Sequence, residues 1–98
     1  MANKILIVDD ERDFVEINRA TLESKGYKVV AAYNGKEGLE KALKEKPDLI
    51  VLDVMMTTKT EGFDVSRKMR AYEELKKTPI IMLTAIRGEN GYFVEDRI

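Results

Sequence analysis

Four short apolar runs recur along the chain and are separated by longer, mixed segments. Each run is rich in Val, Ile and Leu and is only five or six residues long, which favours strands over helices. Runs without regular polar positions are typical of strands that are covered on both faces. The predicted strands are 4–8 (KILIV), 27–32 (YKVVAA), 48–53 (DLIVLD) and 79–84 (PIIMLT).

The intervening segments have apolar residues three or four positions apart, which predicts amphipathic helices. The first helix is predicted over Asp10–Lys25, the second from Asn34 to just before Pro47, and the third over Phe63–Leu75. Asn34 followed by Glu37 resembles a capping box. The predicted inward positions are Phe14, Val15, Ile17, Thr21 and Leu22; Leu39, Ala42 and Leu43; and Val65, Met69 and Tyr72.

Strands alternating with helices over about a hundred residues predict an α/β fold with a parallel sheet and right-handed crossovers. We therefore expect residues 1–98 to form one domain with an open, doubly wound parallel sheet. After Ala85 the pattern fades, because residues 86–98 hold two glycines within four residues and show no clean period. That segment is predicted to be a poorly defined tail.

Carboxylates interrupt or end the apolar runs at one predicted edge of the sheet. Asp53 breaks the run LIVLDVMM, and a charge in such a run is costly unless it is paired or used. Asp9 and Asp10 end the first strand and Thr84 ends the fourth, so all four residues are expected at the carboxyl ends of the strands, where ligands bind in open α/β sheets. Helix capping explains Asp10 equally well, but no predicted helix directly follows Asp53.

Three neighbouring carboxylates repel one another, which should raise the pKa of at least one of them. A hard divalent cation such as Mg²⁺ relieves that repulsion. With the cation bound, one carboxylate can act as a nucleophile toward phosphorus. Asp53 is the predicted nucleophile because it lies alone at the end of the most apolar strand. Asp9 and Asp10 are the residues predicted to bind the cation.

Composition narrows the remaining possibilities. Lys and Arg total 17 and Asp and Glu total 18, so the net charge of −1 gives no reason to expect nucleic acid or an anionic membrane as a partner. There is no Cys or His, which excludes thiolate sites and a histidine base. No apolar run is long enough to span a bilayer, and we expect a cytoplasmic protein.

Four segments in order, ILIVDDE, DLIVLDVMM, Gly62 and PIIMLTA, resemble the receiver domain of two-component response regulators, of the chemotaxis-receiver type. The resemblance covers residues 3 to about 86. It implies a flavodoxin-like receiver fold with strand order 2-1-3-4, from which the family's fifth βα unit is missing.

The resemblance also implies roles for individual residues. Asp53 would accept a phosphoryl group from a phosphohistidine on a sensor histidine kinase or phosphotransfer protein, in a Mg²⁺-dependent reaction that is not conventional enzymatic turnover. Asp10 would bind Mg²⁺ directly, Asp9 largely through water, and Met55 through its carbonyl oxygen, and Asp53 would also be a metal ligand. Thr84 would donate a hydrogen bond to a phosphoryl oxygen.

Some positions depart from the family pattern. The lysine that ends the family's fifth strand is absent, Thr57 stands where a proline is usual, and Gly62 comes one residue later than usual. Without a fifth strand, 79–84 would be an exposed edge, which predicts a homo-oligomer formed through that strand or the tail.

Two other functions remain open. A receiver-like interaction or dimerisation module that does not switch is compatible with the missing lysine. A haloacid dehalogenase-type enzyme is disfavoured, because Met55 stands where that family has a second acid.

Overall fold

A computed structural model describes residues 3–53, 61–86 and 91–97. Within them the strands form one sheet in the order β2-β1-β3-β4-β5. The first four are mutually parallel, which confirms the predicted parallel sheet and its order 2-1-3-4. The strands are β1 (Lys4–Val8), β2 (Lys28–Ala32), β3 (Leu49–Asp53), β4 (Ile80–Ile86) and β5 (Gly91–Arg97).

The fifth strand is the main difference from the sequence prediction. β5 runs antiparallel to β4, from the pair Ile80–Arg97 to the pair Ile86–Gly91. The prediction that the fourth strand is an exposed edge is therefore wrong, and part of the expected tail is a strand. The physical reason is that an open strand edge offers unpaired N–H and C=O groups to the chain that follows it. Only four residues separate β4 from β5 in the sequence, which is too few for the long crossover that a parallel pair requires, so the two strands pair antiparallel.

Three helices connect the parallel strands: α1 (Arg12–Ser24), α2 (Gly35–Glu45) and α3 (Glu61–Arg70). The predicted cap of α2 is confirmed, since Asn34 Oδ1 accepts the Glu37 N–H at 2.8 Å. α2 ends at Glu45, and the C-cap residue Lys46 takes a left-handed conformation with φ of 50°.

α3 ends earlier than the predicted Phe63–Leu75, and a separate 3₁₀ turn follows at Glu73–Leu75. The Arg70 guanidinium donates to the Leu75 carbonyl at 2.7 Å. This contact ties the end of α3 to the turn.

Apolar side chains pack on both faces of the sheet, as expected for a doubly wound fold. One core includes Leu6, Val8, Ile50 and Leu52 of the strands with helix residues from α2 and α3. Ala42 is buried there, and Leu39 and Leu43 pack against it, as predicted. The second core lies under α1 and comprises Ile5, Ile7, Val15, Val29 and Ala31.

Three predicted inward positions are wrong, because Ile17, Thr21 and Tyr72 are all exposed. Ile17 on α1 is 67% exposed and Tyr72, beyond α3, is 41% exposed. α1 meets the sheet through Val15 and Leu22, which are seven residues apart, so Ile17 lies off the contact stripe. Tyr72 lies past the end of α3 and no longer follows the period of that helix.

α2 approaches the carboxyl end of β1 closely. A Cβ added to Gly38 would lie 2.8 Å from Val8 Cγ1, so the absence of a side chain there allows this packing. Val8 immediately precedes Asp9, and the close contact therefore fixes the strand end from which the acidic residues project.

No helix in the described ranges is long and apolar enough to cross a membrane.

Candidate functional site

The site begins where β1 ends. The Asp9 N–H donates to the Ala32 carbonyl at 3.0 Å, which extends the β1–β2 ladder by one bond. The Asp9 side chain then turns back, and its Oδ1 accepts the Glu11 N–H at 2.9 Å. A side chain that captures a backbone N–H two residues ahead forms a local turn. α1 consequently begins at Arg12, two residues later than the sequence pattern predicts.

Asp53 is the last residue of β3, the neighbour of β1 in the sheet. Its register continues that of Val8 and Leu52, which face each other across the two parallel strands. The carboxyl ends of parallel strands meet at one edge, so Asp9, Asp10 and Asp53 converge. One carboxylate oxygen from each lies within 4.8 Å of the others. We call these three residues the acid cluster.

Burial differs sharply within the acid cluster. Asp9 is 1% exposed and Asp53 is 5% exposed, whereas Asp10 is exposed to solvent. Asp9 Oδ2 is buried and accepts no hydrogen bond from the part of the chain that the structure describes. An acceptor in that position is costly unless a proton or a cation satisfies it.

The electrostatics of Asp9 follow from this burial. Loss of hydration raises the pKa of Asp9 from 3.8 to about 7, while the hydrogen bond from the Glu11 N–H opposes the rise. Asp53 adds to the rise through its charge and through a hydrogen bond with the protonated Asp9 carboxyl, and Asp10 adds a smaller repulsion. The prediction that one carboxylate of the group has a raised pKa is confirmed, although burial contributes more than repulsion.

The donor set suits a hard divalent cation. Carboxylate oxygens are the ligands that Mg²⁺ prefers, and Mg²⁺ usually keeps several waters. The buried Asp9 Oδ2 offers an oxygen that the fold leaves without a hydrogen-bond donor among the described residues, and the exposed Asp10 opens the cluster to solvent. The residues present therefore fit Mg²⁺.

The structure also locates the backbone of Thr84. In the β3–β4 register Asp53 faces Leu83, so Thr84 is one residue further along β4, at the same edge as the acid cluster. Met55, the predicted carbonyl ligand, lies outside the described residues.

One feature of this edge was missed in the sequence. The Arg12 guanidinium lies over the Tyr33 ring, 4.0 Å from its centroid, and the Tyr33 hydroxyl donates to Glu16 Oε2 at 3.2 Å. Asp10, Glu11, Arg12 and Asp13 line an open depression beside the acid cluster. No local pattern could reveal the contact, because Arg12 and Tyr33 are 21 positions apart.

Comparison with known proteins places these features in a family. A family model described as the response regulator receiver domain matches residues 5–95. The alkaline phosphatase synthesis transcriptional regulatory protein PhoP of Bacillus subtilis (strain 168) is 48% identical over 85 residues, which are 87% of this chain and 34% of that protein. The chain thus spans about a third of the length of this curated relative.

Solved structures show the same likeness. The chemotaxis response regulator CheY4 of Vibrio cholerae matches with a TM-score of 0.82 and 36% identity, over 90% of this chain and 72% of that one. The N-terminal domain of a response regulator receiver protein from Methanoculleus marisnigri JR1 matches with a TM-score of 0.81 and 32% identity, over 88% and 69% of the two chains.

Proposed function

The chain belongs to the response regulator receiver domain family of two-component signalling, and from this premise we propose that Asp53 is its phosphoacceptor. The observation that carries the proposal is the convergence of Asp9, Asp10 and Asp53 within 4.8 Å at the carboxyl edge of the sheet. Asp53 is itself the last residue of β3 and pairs with Leu83 of β4, whereas Asp9 and Asp10 lie just beyond the end of β1.

The donor is a phosphohistidine on a sensor histidine kinase or a phosphotransfer protein. A carboxylate oxygen of Asp53 forms a bond to phosphorus while the phosphorus–nitrogen bond to the imidazole breaks, and that electron pair stays on the imidazole nitrogen. The product is an aspartyl phosphate. The chain contributes the position of the nucleophile, since catalysis of phosphoryl transfer rests on positioning and on stabilisation of charge.

Asp9, Asp10 and Asp53 would hold Mg²⁺ in this proposal, Asp10 directly and Asp9 largely through water, with the carbonyl of Met55 as a further ligand. When bound, Mg²⁺ supplies positive charge that stabilises the oxygens of the transferring phosphoryl group. Burial of Asp9 supports this role, because a carboxyl with a pKa of about 7 readily exchanges its proton for a cation near neutral pH.

Thr84 is proposed to donate a hydrogen bond to a phosphoryl oxygen. The support is its place in the register, one residue beyond the Leu83 that faces Asp53. That end of β4 lies on the edge to which the phosphoryl group would be delivered. Thr84→Ala should slow phosphorylation without affecting Mg²⁺ binding, because Thr84 is not a metal ligand in this proposal.

The surroundings of these residues suit a protein partner rather than a polyanion. With 17 cationic and 18 acidic side chains, the chain offers no net attraction for nucleic acid or for an anionic membrane. We propose that it acts in the cytoplasm, where it meets the phosphohistidine of its partner, and that it self-associates through the outer strand β5. Analytical ultracentrifugation over a range of concentrations tests the self-association.

The first experiment is an intact mass measurement after incubation with acetyl phosphate and Mg²⁺. We expect one phosphoryl adduct that requires Mg²⁺ and is absent from Asp53→Asn. Asp48→Asn is the matched control, because Asp48 lies just before the opposite end of the same strand, and it should be modified like the wild type. A folded protein that binds Mg²⁺ but gives no adduct would instead indicate a receiver-like interaction module that does not switch.

A further inference from the structure

Arg12 occupies an unfavourable position for a cation. It is the first residue of α1 and is exposed, and the amino end of a helix carries partial positive charge that disfavours Arg there. Acidic neighbours are present at Asp10, Glu11 and Asp13, yet no ion pair to Arg12 forms among the described residues. Instead, the guanidinium stacks on Tyr33 at 4.0 Å. A departure from local preference of this kind is typical of residues that serve a site.

Tyr33 connects three elements at the carboxyl edge. It directly follows β2, and its N–H donates to Glu37 Oε1 on α2 at 2.7 Å. Its hydroxyl donates to Glu16 on α1 at 3.2 Å, and its ring carries Arg12. The preceding residue, Ala32, accepts the Asp9 N–H. Tyr33 is therefore held from the β2 and α2 side and holds α1 at two points.

Asp10 has no comparable support of its own. Its side chain is exposed, and its carboxylate accepts no hydrogen bond within residues 3–53 or the other described ranges. The backbone on one side is fixed by the Asp9 side chain bound to the Glu11 N–H. On the other side the first fixed side chain is Arg12, which is stacked on Tyr33. The direction in which Asp10 projects thus depends on how the first turn of α1 is held.

We propose that Arg12, Glu16 and Tyr33 form a clamp whose role is to position Asp10 for metal binding. The inference rests on the proposed function, since Mg²⁺ is the cation concerned. All three are positioning residues. Without the clamp, the turn between β1 and α1 samples more conformations. Mg²⁺ binding must then order this turn, and the entropy lost in doing so weakens the affinity.

The direction in which Mg²⁺ affinity changes distinguishes a positioning role of Arg12 from a purely electrostatic one. Arg12 is a cation near three carboxylates, so removing its charge should by itself strengthen Mg²⁺ binding. Removing a positioning contact should weaken binding. Arg12→Met removes a charge together with the ring contact, whereas Tyr33→Leu removes the ring contact and the hydrogen bond to Glu16 without a change of charge. The clamp predicts that both variants raise the Kd.

The test is the Kd for Mg²⁺, measured by isothermal titration calorimetry and by ¹⁵N–¹H NMR titration. NMR is preferred to fluorescence because the chain has no Trp. We expect Arg12→Met and Tyr33→Leu each to raise the Kd about two- to fivefold, the change that corresponds to loss of an exposed cation–π contact. The double variant should be no worse than Tyr33→Leu alone, because Tyr33→Leu already removes the ring contact that Arg12→Met breaks. Tyr33→Phe keeps the ring and should stay closer to the wild type.

Lys36→Met is the matched control. Lys36 is an exposed cation in the first turn of α2, at the same edge of the sheet but outside the clamp, so its loss changes charge alone and should leave the Kd equal or slightly lower. A Kd that is unchanged or lower in Arg12→Met overturns the clamp while leaving the proposed function intact. Failure of the wild type to bind Mg²⁺ overturns both.

Discussion

The chain segment that contains β3 carries aspartates at both ends, and their circumstances are opposite. Asp48, just before the strand, is exposed, and its Oδ2 accepts the Lys4 N–H at 2.8 Å. Nearby, Lys4 Nζ pairs with Glu45 at 3.1 Å. Asp53, at the far end, is buried beside two further acids. At the amino edge of the sheet, acidic side chains therefore accept a hydrogen bond from Lys4 or form an ion pair with it. At the carboxyl edge, three acidic side chains lie close together despite their mutual repulsion.

The pKa values express the same difference. The hydrogen bond and charge of Lys4 lower the pKa of Glu45, while burial raises the pKa of Asp9 to about 7. An acid whose pKa is lowered by folding stabilises the folded state when it is ionised, and one whose pKa is raised destabilises it. Burial of Asp9 at the carboxyl edge thus lowers the stability of the folded state when this carboxyl is ionised, and a bound cation would offset that loss. Perturbed pKa values of this kind are characteristic of functional sites.

The largest expected effect is at Asp9 in metal-free protein. Its folded pKa is raised, so its contribution to stability is complete below the unfolded value of 3.8 and is lost as pH rises through about 7. Wild type should therefore lose about 2–3 kcal/mol relative to Asp9→Asn between pH 5 and pH 8. Urea unfolding at the two pH values in EDTA measures this difference.

Mg²⁺ provides the matched control for that experiment. At about 100 times its Kd, Mg²⁺ should stabilise the wild type at pH 8 by about 2.7 kcal/mol and should stabilise Asp9→Asn much less. Equal pH dependence in wild type and variant would show that Asp9 does not carry the cost assigned to it.

The next effect is at Asp10. Because its carboxylate is exposed and well hydrated, Asp10→Asn should raise the Kd for Mg²⁺ by on the order of tenfold, or about 1.4 kcal/mol, with little change in stability. Asp48→Asn, at the other end of β3, should keep the wild-type Kd. Calorimetric titration of the two variants side by side checks this, and an equal loss in both would remove the distinction between the two edges.

The sequence supported the parts of the fold that local patterns determine. Continuous apolar runs gave β1, β3 and β4 to within a residue or two, and Asn34 with Glu37 gave the start of α2. The convergence of Asp9, Asp10 and Asp53 was also predictable, because parallel strands end at a common edge. These features depend on residue order alone.

Other features depend on packing that the sequence does not display. Ile17 has the helical spacing of a core residue but lies off the stripe by which α1 contacts the sheet. β5 forms from a glycine-containing segment without a clean period, because the backbone of β4 offers an edge to pair with. The stacking of Arg12 on Tyr33 joins residues that only the β2-β1 order brings together.

The smallest expected effect is at Glu45, and its sign is the sharpest check on the contrast between the edges. The folded pKa of Glu45 is lowered, so its contribution to stability is present above its usual value of 4.5 and is lost as pH falls. Glu45→Gln should therefore destabilise the protein at pH 7, and the destabilisation should shrink as pH falls below 4.5, the reverse of the Asp9 dependence. The effect should be small, because solvent screens the partly exposed pair with Lys4. Glu40→Gln, an exposed acid on the same helix, is the control in urea unfolding. The contradicting outcome is a change in the free energy of unfolding that depends on pH in the same direction for Glu45→Gln as for Asp9→Asn. Acidic side chains at the amino edge would then also destabilise the folded state when ionised, and unfavourable burial of charge would no longer distinguish the candidate site from the rest of the sheet.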